Sequence, residues 1–74
     1  MRLITKEECI EKIEKAKMDL KILKKEKALP EKKVRAKMTR VLWEELKNLI
    51  NAGEIITMDN ESRIYRIQDV SSHN

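Results

Sequence analysis

The side chains with chemistry to offer in this sequence are one cysteine, one histidine and a dense run of lysine and arginine between residues 21 and 40. Cys9 falls near a predicted helix start, where a thiolate gains from the helix dipole. A nucleophilic cysteine also needs a general base beside it, and the neighbouring Glu7 and Glu8 oppose a thiolate charge. That makes Cys9 a structural residue. The single histidine, His73, sits in Ser71-Ser72-His73-Asn74, a segment whose composition predicts disorder. One Cys and one His do not make a structural zinc site, which wants four ligands at set spacings. A lone cysteine also excludes an internal disulfide. Gly53 is the only glycine, so there is no glycine-rich phosphate loop. The carboxylates are interleaved with lysines at helix-surface spacings and do not stand out as a catalytic pair. The sequence therefore predicts no enzyme, no metal and no cofactor.

The basic run is the strongest functional signal. Residues 21–40 carry Lys21, Lys24, Lys25, Lys27, Lys32, Lys33, Arg35, Lys37 and Arg40 against Glu26 and Glu31, a net charge of +7. Residues 1–20 are net neutral and residues 41–74 are net −3, so the overall +4 hides a polarised chain. Cations at a helix C-terminus are favoured by the dipole, which accounts for Lys24, Lys25 and Lys27 without any ligand. The same rule makes Lys32, Lys33, Arg35 and Lys37 mildly unfavourable, because they crowd a helix N-terminus. A use for them is to neutralise phosphates and release counterions from a nucleic acid. The bland alternative is a solvated, solubilising helix end.

These residues need elements to position them. Thr5 stands three residues before Glu8, the spacing of a capping box, and Ile4 with Cys9 has the spacing of a hydrophobic staple. Ile10, Ile13, Ala16 or Lys17, Leu20 and Leu23 recur at steps of three and four, widened by Met18 and Ile22, and predict a helix from Lys6 to Lys27. Pro30 disfavours helix at Leu29 and suits the first turn of a new one. Val34, Met38, Val41, Leu42, Leu46, Leu49 and Ile50 mark the broad apolar face of that second helix, and Gly53 closes it as a left-handed cap. The short connection predicts antiparallel neighbours. Residues 54–58 and 63–67 are β-type runs around Asp59-Asn60-Glu61-Ser62, a turn sequence, and predict a β-hairpin. A hairpin alone is marginal, so one face should pack on the helices, with Ile56, Met58, Tyr65 and Ile67 as the inward residues.

Trp43 lies near Leu46 and Ile50 on the helical wheel but off the centre of the apolar stripe. It is either core under the hairpin or an anchor in a protein interface, where tryptophan is enriched. Tyr65 is either a cover for the core with its hydroxyl wet or, beside Arg63 and Arg66, a contact to a nucleic acid.

The stretch from Thr39 to Ile67 resembles the second half of a winged-helix domain. Thr39-Arg40-Val41-Leu42 leads into Leu46-Lys47-Asn48-Leu49-Ile50, then Asn51-Ala52-Gly53-Glu54-Ile55, a turn, and Arg63-Ile64-Tyr65-Arg66-Ile67. The resemblance implies a recognition helix followed by a wing, with DNA bound through Arg40 near the helix start and through Arg63 and Arg66 on the wing. In that family a separate helix and a turn come before the recognition helix. Here no Gly, Pro or Asn breaks the stretch from Glu31 to Arg40. Residues 31–52 form either one helix or two. With one helix, the basic run and the hairpin stand at opposite ends.

The chain has 74 residues, enough for one domain with a thin core. Hydrophobic residues make up 41 %, too many for a disordered chain. No apolar run approaches a membrane span, and Leu3-Ile4 gives way to charge from Lys6 onward, so no signal-peptide core is visible. A cytoplasmic protein with reduced Cys9 is expected. The lysine, isoleucine and asparagine bias suits an AT-rich bacterial or phage genome. The expected fold is α+β: an antiparallel pair of long helices with a C-terminal two-stranded β-hairpin, one domain over residues 1–70. The expected function is a small accessory or regulatory protein that binds nucleic acid, DNA ahead of RNA. It would do so through Lys24, Lys25, Lys27, Lys32, Lys33, Arg35, Lys37 and Arg40, helped by Arg63 and Arg66. The alternative is a protein-interaction module, a homodimer or a unit docking on a larger host or viral protein, using the apolar helical face with Trp43 and Tyr65.

Overall fold

A computed structural model describes residues 1–67. The expected disordered tail, His73 included, lies outside them. The elements run β1 (Arg2–Leu3), α1 (Lys6–Lys25), α2 (Pro30–Asn51), β2 (Ile55–Met58) and β3 (Ile64–Ile67). The helices pack together and the strands cap one end, in the expected α+β class.

Thr5 caps α1, its hydroxyl accepting the Glu8 N–H at 3.2 Å. Only half of the expected capping box forms. The Glu8 carboxylate takes the Arg2 guanidinium instead, with Arg2 Nη2 donating to Oε2 at 2.7 Å and Nη1 to Oε1. A bidentate charged donor outcompetes a neutral backbone N–H. Ile4 and Cys9 are buried in one cluster, as the staple spacing requires. Beside this clamp runs a strand that the sequence did not announce. β1 pairs antiparallel with β2, giving a three-stranded sheet in the order β1-β2-β3.

α2 is one unbroken helix, and Pro30 stands in its first turn. Thr39 is mid-helix, its hydroxyl donating to the Arg35 carbonyl at 2.9 Å. Both helices end in the same backbone motif. In α1 the Ala28 N–H donates to Leu23 O at 2.9 Å and Lys27 N–H to Lys24 O at 3.3 Å. In α2 the Glu54 N–H donates to Leu49 O at 3.0 Å and Gly53 N–H to Ile50 O at 3.0 Å. These are the paired bonds of a Schellman cap.

The core is Ile4, Cys9, Ile13, Trp43, Leu46, Ile56 and Met58, with Leu49, Ile50 and Ile64 packed against it. It sits at the sheet end of the helix pair. One expectation needs correction. The register pairs Ile56 with Arg66 and Met58 with Ile64, so Ile64 shares the inward face. Tyr65 pairs with Thr57 and Ile67 with Ile55, on the opposite face, and both are exposed. Cross-strand partners share a face, so burying Ile56 and Met58 turns Tyr65 and Ile67 outward. The apolar face of α2 is also divided. Leu46 is buried, but Val34, Met38, Val41 and Leu42 remain 53 %, 66 %, 53 % and 43 % exposed. The apolar arc is wider than one neighbouring helix can cover. α1 lies over the side that carries Ala36 and Trp43, roughly 200° round the helix from Val34 and Val41. For the same reason Ile10, Met18 and Ile22 of α1 are exposed.

Candidate nucleic-acid interface

Antiparallel packing gathers the basic run at the free tip of the helix pair. α1 ends in Lys24 and Lys25. Lys27 follows at the cap, with a left-handed φ of 53°. α2 then opens with Lys32, Lys33, Arg35 and Lys37 behind Pro30 and Glu31. No side chain caps the start of α2. Its N-terminal dipole adds positive potential at the tip, and the C-terminal dipole of α1 offsets it nearby. The net field there is set by the side chains.

The ion pairs divide the predicted cations into two groups. At the sheet end each arginine has a carboxylate. Arg66 Nη2 lies 2.6 Å from Glu54 Oε1, and Arg63 Nη2 lies 2.7 Å from Glu61 Oε2. Arg2 holds Glu8. Arg40, one turn before Glu44, pairs with it at 3.2 Å. Among the described residues no carboxylate lies within ion-pair distance of Lys24, Lys25, Lys27, Lys32, Lys33, Arg35 or Lys37. All of these except the half-buried Lys33 are exposed.

Two cations that the charge windows did not single out line a groove that runs back from the tip. A groove between the helices is lined by Lys12, Lys15, Asp19, Lys32 and Arg35, over a floor that includes Ala16, Ala36 and Trp43. Lys12 and Lys15 belong to a window of zero net charge, so counting along the chain hides them. The antiparallel register brings them alongside the middle of α2, in a groove that continues to Lys32 and Arg35. Lys12 Nζ stands 5.9 Å from the centroid of the Trp43 ring, a cation–π distance. Lys33 and Arg40 are half-buried on the covered side of α2, where long aliphatic stems pack while the charged heads reach water.

The tip and the sheet stand apart. Lys33 and Asn51 are separated along one straight helix by about 27 Å at 1.5 Å per residue. The tip lysines and the hairpin arginines therefore do not form one compact patch. Tyr65 donates its hydroxyl to Asp59 Oδ2 at 3.0 Å on the far face of the sheet. Trp43 is buried in the core, the first of its two predicted roles. Cys9 is fully buried, and burial followed by the Glu8 charge pushes its thiol pKa up, which keeps it protonated. Among the described residues no group of His, Cys, Asp and Glu could hold a metal ion, and no helix is long and apolar enough to cross a membrane. No protein-family model matches the chain, and no curated protein or solved structure matches it either.

Proposed function

We propose that this chain is a small non-catalytic accessory or regulatory protein that binds nucleic acid through the tip of its helix pair. The supporting observation is the contrast in charge pairing. Arginines at the sheet end are neutralised by carboxylates of the same chain, whereas the tip cations are exposed and unpaired among the described residues. Unpaired cations crowded together repel one another, and a polyphosphate relieves that repulsion by replacing its own counterions with them. The contact is made first by Lys24, Lys25, Lys27, Lys32, Arg35 and Lys37. Lys12 and Lys15 extend it along the groove. Arg63 and Arg66 are a second, separate contact, engaged only where a phosphate displaces Glu61 or Glu54.

The test is a titration of labelled duplex DNA, single-stranded DNA and RNA at several salt concentrations. With about five phosphate contacts, duplex affinity should fall by roughly 500-fold between about 50 and 200 mM salt. Affinity that does not change with salt would overturn the reading. The three arms also decide which polymer is preferred. A second reading, a protein-interaction module, has its own observation in the exposed Val34, Met38, Val41 and Leu42 of α2.

A further inference from the structure

The outward face of α2 has a pattern that the nucleic-acid reading does not use. Val34, Met38 and Val41 step by four and three along the side turned away from α1, with Leu42 flanking them. This is the spacing of a helix–helix seam. It is not covered by any described part of the chain. Glu45 ends it, one turn after Val41.

The charges of the same helix say what fits there. The half from Pro30 to Arg40 is net +4 and the half from Val41 to Asn51 is net −1. Parallel pairing of two such helices would set basic half against basic half. Antiparallel pairing sets each basic half beside the acidic half of its mate. Lys37 and Glu44 are seven residues apart, so they lie on one edge of the seam. A two-fold axis perpendicular to antiparallel helices brings like edges together. Lys37 then faces Glu44 of the second copy, a carboxylate that Arg40 of its own helix also holds, and the reverse contact follows by symmetry. Glu45 falls beside the basic first turns of the second copy.

We infer that the outward face of α2 docks a second copy of this chain, antiparallel, about a two-fold axis near Met38 and Val41. Met38 packs against Val41 of the second copy, and Val34 and Leu42 close the seam on either side. The pairing engages Lys37, which the nucleic-acid reading also uses, and leaves Lys24, Lys25 and Lys27 of each α1 free.

Sedimentation equilibrium of the full chain across a dilution series tests it. The wild-type chain should dimerise. Val41→Glu should weaken dimerisation by on the order of tenfold or more and leave helical circular dichroism unchanged, because Val41 is exposed. Ile55→Glu, on the exposed sheet face, should leave the dimer intact. Lys37→Glu should weaken it, and adding Glu44→Lys to that variant should restore it. A monomer at every concentration overturns the inference, as does a dimer indifferent to Val41→Glu or one lost to Ile55→Glu. Failure of Glu44→Lys to rescue Lys37→Glu overturns the antiparallel register.

Discussion

Lys27 and Gly53 occupy equivalent positions, each one residue beyond its helix cap with a left-handed backbone, at φ 53° and 93°. The backbone bonds around them are the same. Only one of them is the residue that the conformation favours. A left-handed residue with a side chain costs about 1–2 kcal/mol, and glycine avoids that steric cost. Lys27→Gly should therefore stabilise the fold by about 0.5–1 kcal/mol. Gly53→Ala should destabilise it by about 1 kcal/mol through backbone strain alone, since an added Cβ would meet no atom within 4 Å. Urea denaturation of the two variants, expected to shift in opposite directions, checks this.

Acid should loosen the sheet end before the tip. The Arg63 backbone N–H holds the Asp59 carboxyl below its ordinary pKa, helped by the Tyr65 hydroxyl and the Glu61 N–H. The Arg2 guanidinium does the same to Glu8. A carboxylate whose pKa is depressed by folding adds stability above its unfolded value, near pH 4. That stability drains away as pH falls through the lower, folded value. Thermal unfolding followed from pH 6 downward should show a loss beginning near pH 4. Asp59→Asn and Glu8→Gln should each flatten that loss, having given up their share of stability at neutral pH.

The strand register predicts a difference between neighbours of the same type. Ile64 packs on the core and Ile67 is exposed on the other face. Ile64→Ala should destabilise by about 1–2 kcal/mol, reduced from the fully buried range because Ile64 is only half-buried. Ile67→Ala should change stability by less than about 0.5 kcal/mol. Equal effects would contradict the register.

That register also marks where sequence reading ran out. Period-two alternation shows that two sets of residues exist on a strand but not which set is buried. In β3 both sets are apolar or mixed, so Tyr65 and Ile67 looked as suitable as Ile64. β1, at two residues, is too short to show alternation, and it is held by long-range contacts, the ladder to β2 and the buried Ile4 beside it, that no local pattern shows. The helices were legible because Thr5, Pro30 and Gly53 mark their ends by local chemistry. How the broad apolar face of α2 divides was not legible for a different reason: a helical wheel counts apolar residues but not the neighbours available to cover them. The tip cluster was visible as a charge window. Its extension by Lys12 and Lys15 needed the antiparallel pairing.

Thr57 offers a test of packing on the sheet's exposed side. It is buried between its cross-strand partners Leu3 and Tyr65, and among the described residues nothing hydrogen-bonds its hydroxyl. An unpaired buried hydroxyl costs about 1–3 kcal/mol in lost hydration. Thr57→Val keeps the shape and removes that group, so it should be neutral or stabilising by about 1 kcal/mol in a denaturant titration. A clear loss of stability would mean that the hydroxyl has a partner when the protein is in water.

The two groups of cations should separate in binding as they do in charge pairing. Each lysine or arginine that contacts a phosphate contributes about one unit to the salt slope of affinity. Replacing Lys24, Lys32 and Arg35 together with alanine should lower the slope for duplex DNA by about three and weaken binding at low salt across unrelated sequences. All three are exposed, so folding should be retained, and circular dichroism would confirm it. Arg63→Gln with Arg66→Gln should leave the slope nearly unchanged, because a phosphate must first displace Glu61 or Glu54. If the hairpin variant lowers the slope and the tip variant does not, the nucleic acid lies across the sheet end, and the tip lysines are a solvated surface.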